Sequence, residues 1–349
     1  VTASTSPVVT ERRSHVIPAE HAGLRLDVAV ARAWPDLSRA RAQSLIGEGC
    51  VELAGRPAKS SHRVRGGEAL TVEFRPPAPS GLVAQDLPLT VIYEDDTLLV
   101  LDKAAGMVVH PARGSPHSTV VNALLYRLGA DAPGGARLGL VHRLDKETSG
   151  CLVVALTSPG LASLQAQFKG RSVGKSYLAL CHGALPESGR LETFYGRHPR
   201  DRKRFTGKLR SGRRALTEWA VRERFGELAT LVEVTLHTGR THQIRVHLSE
   251  AGHPLLADEP YGGRRREARL AEDHPVRRAA AAIGRQALHA WRLAFDHPAT
   301  GERVAFEAPI PADLERALAL LRAAEGGSSP EEPKERVSPR KRSRARGRS

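Results

Sequence analysis

The sequence predicts an α+β protein: a mixed, mainly antiparallel sheet with flanking helices and a central cleft, preceded by a small N-terminal α/β module. Two observations carry this. Short apolar segments with strand character alternate irregularly with helical ones, without a regular βαβ rhythm. A Pro-rich segment, Pro76-Pro77-Ala78-Pro79-Ser80-Gly81, separates a short unit from a long one. The 349 residues leave room for about two domains.

In order along the chain, residues 1–19 are polar and without period and are read as a disordered tail. Residues 20–75 form the small module. Leu24, Leu26, Val30 and Ala33 mark one helix ending at Trp34-Pro35, and Ser38 is placed to cap a second, Arg39–Ile46, stopped by Gly47 and Gly49. Val51–Leu53 and Leu70–Phe74 read as strands. After a linker at 76–86 the large domain, 87–325, opens with a hairpin in which Thr90–Tyr93 and Leu98–Leu101 flank Glu94-Asp95-Asp96. Ser118 is read as the cap of a helix closed by Gly129, and Cys151–Leu156 as a buried strand. Ser158-Pro159 opens a helix ended by Gly170. Tyr177 to Cys181 and Leu231–His237 are strands, and Asp313–Ala324 is the last helix. Residues 326–349 form a low-complexity basic tail, expected to be disordered.

Composition narrows the function. Hydrophobic residues are 40% and charged residues 26%, ordinary for a globular protein. No apolar run approaches the roughly 20 residues of a membrane span. Glu11, Arg12 and Arg13 precede any apolar block, so the h-region of a secretory signal is missing. Cys50, Cys151 and Cys181 lie too far apart for a disulfide framework or a cysteine zinc site, which points to a reducing, cytoplasmic setting. The formal net charge is +15. Such a field attracts polyanions, nucleic acid first among them. The charge is clustered: ten Lys/Arg against two acids lie between Arg190 and Arg214, and seven basic residues with no acid between Arg336 and Ser349. Arg39, Arg41, Lys59, Arg63 and Arg65 give the small module a basic face, which taken alone is as readily a solvated surface. Aromatics are too few for a stacking groove of the single-strand-binding type.

Three polar clusters interrupt the apolar strands of the large domain. In His142-Arg143-Leu144-Asp145-Lys146-Glu147-Thr148-Ser149-Gly150, one carboxylate sits between Arg143 and Lys146. Nearby positive charge would keep it ionised, which suits a nucleophile or a base better than a proton donor. A loop tied by ordinary salt bridges is the alternative on these residues alone. In His237-Thr238-Gly239-Arg240-Thr241-His242-Gln243-Ile244-Arg245-Val246-His247-Leu248, a strand meets a Thr-Gly turn and then a helix, with Thr241 available as cap. Arg245 shares a helix face with Thr241 and His242 and could offer a guanidinium to a carboxylate or phosphate. His242 and His247 are five apart with no Glu between, so the metal reading fails on spacing. The third cluster is Lys175-Ser176-Tyr177, in which a lone Tyr is most simply a core residue with its hydroxyl at an edge. Gly134-Gly135-Ala136-Arg137-Leu138-Gly139 has neither Walker nor Rossmann spacing.

Together these blocks resemble the RluA family of pseudouridine synthases, in the branch that acts on large-subunit ribosomal RNA. Leu98–Lys103 with Ala105 to Pro111 is similar to the family's first block, Val141–Gly150 to its strongest signature, Lys175–Leu180 to a third, and Leu236–Leu248, Asp258–Gly262 and Gln286–Ala290 to the last ones. Residues 20–75 resemble an RNA-binding module shared with a ribosomal small-subunit protein. The resemblance covers about residues 20–324. It implies isomerisation of a flipped-out uridine, with Asp145 as the essential aspartate, Tyr177 stacking on the base, Arg245 pairing with Asp145, and Arg143 entering the vacated RNA stack. The Tyr177 hydroxyl is a candidate acceptor of the C5 proton. Arg39, Arg41, Lys59, Arg197 and Arg240 are expected to bind RNA. The implied reaction needs no cofactor and no metal. The expected partners are large-subunit ribosomal RNA, free or in an assembling subunit, and the enzyme is expected to be a monomer without membrane attachment. Transfer RNA as substrate, a non-catalytic ribosome-assembly protein, and a nuclease using His242 or His247 are the rival readings. The intact Asp145, Tyr177 and Arg245 set weighs against the second, and the lack of a paired acid and base against the third. One departure is Ala257-Asp258-Glu259-Pro260-Tyr261, where the family usually has Gly before the Asp and Pro after it.

Overall fold

The computed structural model describes residues 11–35, 37, 39–74, 82–112, 115–129, 133 and 138–326. The chain divides into two compact units, residues 1–81 and 82–349. Residues 76–81 of the linker expected at 76–86, the cap Ser38, the Gly134–Arg137 stretch and the basic tail beyond Gly326 lie outside the described residues.

In the first unit, β1 (Glu11–Val16), α1 (Leu26–Ala33), α2 (Arg39–Gly47), β2 (Val51–Leu53), β3 (Arg56–Pro57) and β4 (Ala69–Phe74) follow one another. The sheet order is β1-β4-β2-β3, all antiparallel. Leu26, Ala29, Val30, Ala42, Leu45, Leu70 and Val72 form its core. The order expected to be absent from residues 1–19 is partly present. Residues Glu11–Val16 pair with β4 in register from Glu11↔Phe74 to Val16↔Ala69. This is an edge strand with no fully buried residue, so it lacks the apolar alternation by which a strand is read from sequence.

The second unit opens with β5 (Thr90–Glu94) and β6 (Leu98–Lys103), an antiparallel hairpin as expected. Then come α3 (Val120–Leu128), β7 (Ser149–Ala155), α4 (Ser158–Gly170), β8 (Gly174–His182), β9 (Ser188–Arg197), β10 (Phe205–Thr206), β11 (Arg213–Phe225) and β12 (Ala229–Leu236). The chain continues through α5 (Gln243–Glu250), α6 (Gly263–Glu267), α7 (Pro275–Ile283), β13 (Leu288–Asp296), β14 (Arg303–Glu307) and α8 (Ala312–Gly326). The strands form one ten-stranded sheet in the order β10-β9-β11-β12-β8-β13-β7-β6-β5, with β14 on β13. Every pairing is antiparallel except β7 with β13. The α3 helix is capped by Thr119, whose side chain accepts from the Asn122 amide, and not by Ser118, which adopts φ +58°.

The site lies where β12, β8, β13 and β7 adjoin. β7 is buried along its whole length and delivers the loop before it, residues 142–148, to the sheet end. Gly150 makes this possible. Its φ is +109°, and a Cβ there would lie 2.2 Å from the Ala290 carbonyl oxygen. Only glycine allows β7 and β13 to approach that closely.

Candidate active site

A cleft of about 510 Å³ opens at this sheet end, lined among others by Arg143, Asp145, Tyr177, Arg240, His242 and Arg245. Five of the expected site residues thus share one cavity. Leu144 is buried in the core beneath it, and its neighbours Arg143 and Asp145 both line the cleft, Arg143 exposed and Asp145 with 18% of its side chain exposed. The loop is tied by the Thr148 amide donating to the Asp145 carbonyl at 3.1 Å. Lys103, at the end of β6, donates to the Ala104, Met107 and Lys146 carbonyls at 2.7, 2.9 and 3.1 Å. Burial lowers the Lys103 ammonium to about 8 despite the nearby Glu147 and Asp145 carboxylates. On the far side, Arg285 donates to the Glu147 carbonyl at 2.9 Å and to Ser149 Oγ at 3.2 Å, and pairs with Asp313 at 2.7 Å.

The cation on Asp145 is Arg245, not a neighbour in sequence. Arg245 Nη1 donates to Asp145 Oδ2 at 3.1 Å, while Lys146 lies 4.0 Å from Glu147. Arg245 is itself held by Asp258, to which Nε and Nη2 donate at 2.8 and 3.0 Å. Asp258 is 1% exposed. Burial disfavours the guanidinium charge, but Asp258 and Asp145 outweigh this and hold Arg245 above its ordinary range. Such a bidentate fork fixes the guanidinium plane, so its remaining edge faces Asp145 in one orientation.

The helix that carries Arg245 is not capped by Thr241. Its N-cap is His242, in the left-handed region at φ +58°, without a side-chain cap. The turn is closed by Gln243, whose Oε1 accepts from Thr238 Oγ1 at 2.7 Å and the Arg240 amide at 3.1 Å. The three histidines of this segment go to separate partners. His237 meets Glu218 at 2.9 Å, His247 meets Thr193 and Thr217 at 2.9 Å each, and His242 meets the Tyr261 hydroxyl at 2.8 Å.

Tyr177, on β8, packs its ring between two core clusters and faces the cleft. Burial first, then Asp145, pushes its phenol well above the ordinary range, so it stays protonated at neutral pH. Burial lowers the Arg240 guanidinium, and Arg213 and Arg171 nearby add to this. Arg197 lies 5.1 Å over the Phe205 ring, exposed and outside the cleft lining. In the first unit, Arg39 is tied to the buried Asp27 at 3.0 Å and Arg41 to Glu48 at 3.3 Å, whereas Lys59 lines a separate shallow surface pocket with Arg56 and His62. Arg39 therefore spends part of its charge on its own fold.

At Ala257, where the family pattern has glycine, the backbone is left-handed at φ +57°. Its amide donates to Glu267 at 2.7 Å, and Glu267 pairs with His182 at 3.0 Å. These contacts hold the loop that presents Asp258 with alanine in place of glycine.

Residues 97–250 match the family model described as RNA pseudouridylate synthase, and residues 24–70 match the S4 domain. The "Ribosomal large subunit pseudouridine synthase D" of Neisseria meningitidis serogroup B is 44% identical over 88% of this chain and 81% of its own. The chain belongs to the RluA family of RNA pseudouridine synthases. The protein of the same name from Xanthomonas campestris is 42% identical over 91% of this chain and 95% of its own. Among solved structures, human RNA pseudouridylate synthase domain containing 1 superposes with a TM-score of 0.51 at 28% identity, over 70% of this chain and 97% of that one. The protein is accordingly an intramolecular isomerase that makes pseudouridine, with an RNA-binding S4 domain at its N-terminal side.

The blocks around Asp145, Tyr177 and Arg245 were readable as motifs. Asp258, Lys103 and Arg285 were not assigned roles from sequence. Their signal was present, since each lies in a block that carries the resemblance or beside one, but nothing local says that a carboxylate 13 residues past Arg245 closes back on it.

Proposed function

We propose that this pseudouridine synthase acts on large-subunit ribosomal RNA, with Asp145 as the essential carboxylate. The substrate reading is carried by relatives such as the Neisseria and Xanthomonas proteins, whose names state that target. The residue reading is carried by one observation: a cleft-facing carboxylate held by a guanidinium that a second, buried carboxylate locks.

The reaction breaks the uridine N1–C1′ bond, turns the base while it is bound, and joins C5 to C1′. The target base must leave its stack at a cost of roughly a few kcal/mol. Arg143, exposed at the cleft mouth, fills the space left behind. Tyr177 receives the ring face of the flipped base. Asp145 acts on the ribose or the ring within reach of both. Arg39, Arg41, Lys59, Arg197 and Arg240 serve phosphate contacts, Arg39 and Arg41 the more weakly because intramolecular carboxylates already engage them. The assembling subunit and the free RNA are both candidate forms of the substrate, and the cytoplasm is the compartment. Three free, buried cysteines are consistent with a reducing setting.

The test is pseudouridine mapping of ribosomal RNA from cells lacking the protein, with wild-type and Asp145→Asn rescues side by side. Sites in large-subunit RNA are expected to vanish and to return only with wild type. In vitro, Asp145→Asn is expected to lower turnover by at least about 10³-fold while RNA affinity stays within a few-fold. Sites that vanish from transfer RNA instead would move the substrate, and full activity of the Asn variant would remove Asp145 from the chemistry.

A further inference from the structure

In the cleft, His242 combines a left-handed backbone with a clamped ring. It adopts φ +58° as a non-glycine residue, a conformation that persists where its surroundings over-determine it and that recurs at functional positions. Its ring contacts Phe205 and Tyr261 edge-on, at 5.7 and 5.6 Å between centroids. The clamp also sets the tautomer. The Tyr261 hydroxyl oxygen accepts from the Phe205 amide at 3.1 Å, and among the described residues the one acceptor within hydrogen-bond distance of its own hydrogen is His242 Nδ1 at 2.8 Å. Nδ1 is then the acceptor nitrogen of a neutral imidazole, and the proton resides on Nε2. That Nε2–H lies 3.9 Å from Asp145 Oδ2, too far for a direct hydrogen bond. A substrate atom entering from the open side of the cleft can meet both groups at hydrogen-bond distance, bridging the donor and the acting carboxylate off their axis.

We infer that His242 is a further catalytic residue, donating Nε2–H to the uracil O2 as the N1–C1′ bond breaks. The inference rests on the reading of Asp145 as the acting carboxylate. When that bond breaks, its electron pair stays with the base and spreads from N1 onto O2, while C1′ becomes electron-poor next to Asp145. C1′ regains a pair when C5 bonds to it, C5 loses its hydrogen, and N1 gains one, so the product is an isomer. A donor aimed at O2 binds more strongly once the base is detached and O2 carries charge, which is the condition for accelerating a step and not merely binding its substrate. Burial keeps the imidazole neutral, with Arg245 and Arg143 acting in the same direction and Asp145 and Asp258 opposing. The residue therefore donates a hydrogen bond without carrying a charge that would compete with Arg245 for Asp145.

The experiment compares wild type with His242→Gly, because glycine suits the left-handed backbone. Single-turnover rates are measured on an RNA that wild type converts, carrying uridine, 2-thiouridine or 4-thiouridine at the target position. Wild-type conversion of large-subunit RNA reports separately on the substrate reading, and Asp145→Asn on the site reading. His242→Gly is expected to slow uridine turnover by about 10²-fold with RNA affinity within twofold. The wild-type-to-variant rate ratio is expected to shrink for 2-thiouridine, whose sulfur is the poorer acceptor, and to stay unchanged for 4-thiouridine. Free imidazole in the vacated space should restore part of the rate. Equal ratios for all three bases overturn the proposal, as does a ratio that shrinks for 4-thiouridine. Tyr261→Phe provides the second variant. It releases the tautomer while keeping the ring, and it must lower the 2-thiouridine ratio in the same direction, or the clamp has no part in catalysis.

Discussion

Arg245 is engaged on three sides: two bonds to Asp258, one to Asp145, and its guanidinium 5.1 Å over the Tyr261 ring. Asp258 is fully desolvated and has no other cation, among the described residues, within ion-pair distance. Arg245→Met therefore strands a buried carboxylate. We expect a loss of about 3–5 kcal/mol, the usual consequence of removing one partner from a buried pair, read as a fall in the urea midpoint at constant slope. Adding Asp258→Ala should recover part of that loss, since no lone charge then remains. Strict additivity of the two substitutions would mean that they do not interact. Activity should vanish in both variants, because Asp145 loses the group that orients it. This relation was invisible in the sequence. Residues 245 and 258 lie on a helix and on the irregular loop after it, and no periodicity links them.

Elements were more legible than contacts, and the exceptions share a cause. α1, α2, β7, α4, β8, β12 and α8 each bury a stripe or a face, and the stripe is written in the order of apolar residues. β1 buries almost nothing and owes its existence to β4, so its own residues carried no period. The tight parallel contact of β7 with β13 depends likewise on a residue without a side chain. Gly150→Ala would combine a left-handed penalty of about 1–2 kcal/mol with overpacking of about 1–3 kcal/mol against the Ala290 backbone. A combined loss near 3 kcal/mol or more is expected from thermal or urea unfolding, with the 142–148 loop displaced and turnover lost. Gly284, the C-cap of α7 in the left-handed region at φ +66°, is the control. A Cβ there meets nothing nearer than the Ala281 carbonyl oxygen at 3.9 Å, so Gly284→Ala should lose only the backbone part and keep its activity. Similar losses for the two would mean that the close approach at Gly150 is not what holds the sheet end.

At the scale of the whole molecule, the sheet is held together in part by histidines buried without charge. His289, on β13, accepts from Ser149 Oγ at Nδ1 and donates to the Ala308 carbonyl, joining β7 to the segment after β14. His247, on α5, sits between Thr217 of β11 and Thr193 of β9. His142 stacks on Phe168 and accepts from the Val153 amide at 3.0 Å. Burial lowers His289 and His247 to about 4 each, and burial with Lys175 lowers His142 to about 3. In the unfolded chain all three titrate near 6.5, so between that pH and the folded values the unfolded state binds more protons. Stability is then fully present above about pH 6.5 and is lost as pH falls toward 4, by roughly 3 kcal/mol for each of His289 and His247. Urea unfolding of wild type from pH 7.5 to 4 should show this fall, with the second unit unfolding first because these three residues belong to it. His289→Gln should be less stable than wild type at pH 7.5, having lost the ring that bridges Ser149 and Ala308, yet should lose less on acidification. Parallel pH curves for the two proteins would show that His289 does not charge on unfolding, and the acid sensitivity would then arise elsewhere in the fold.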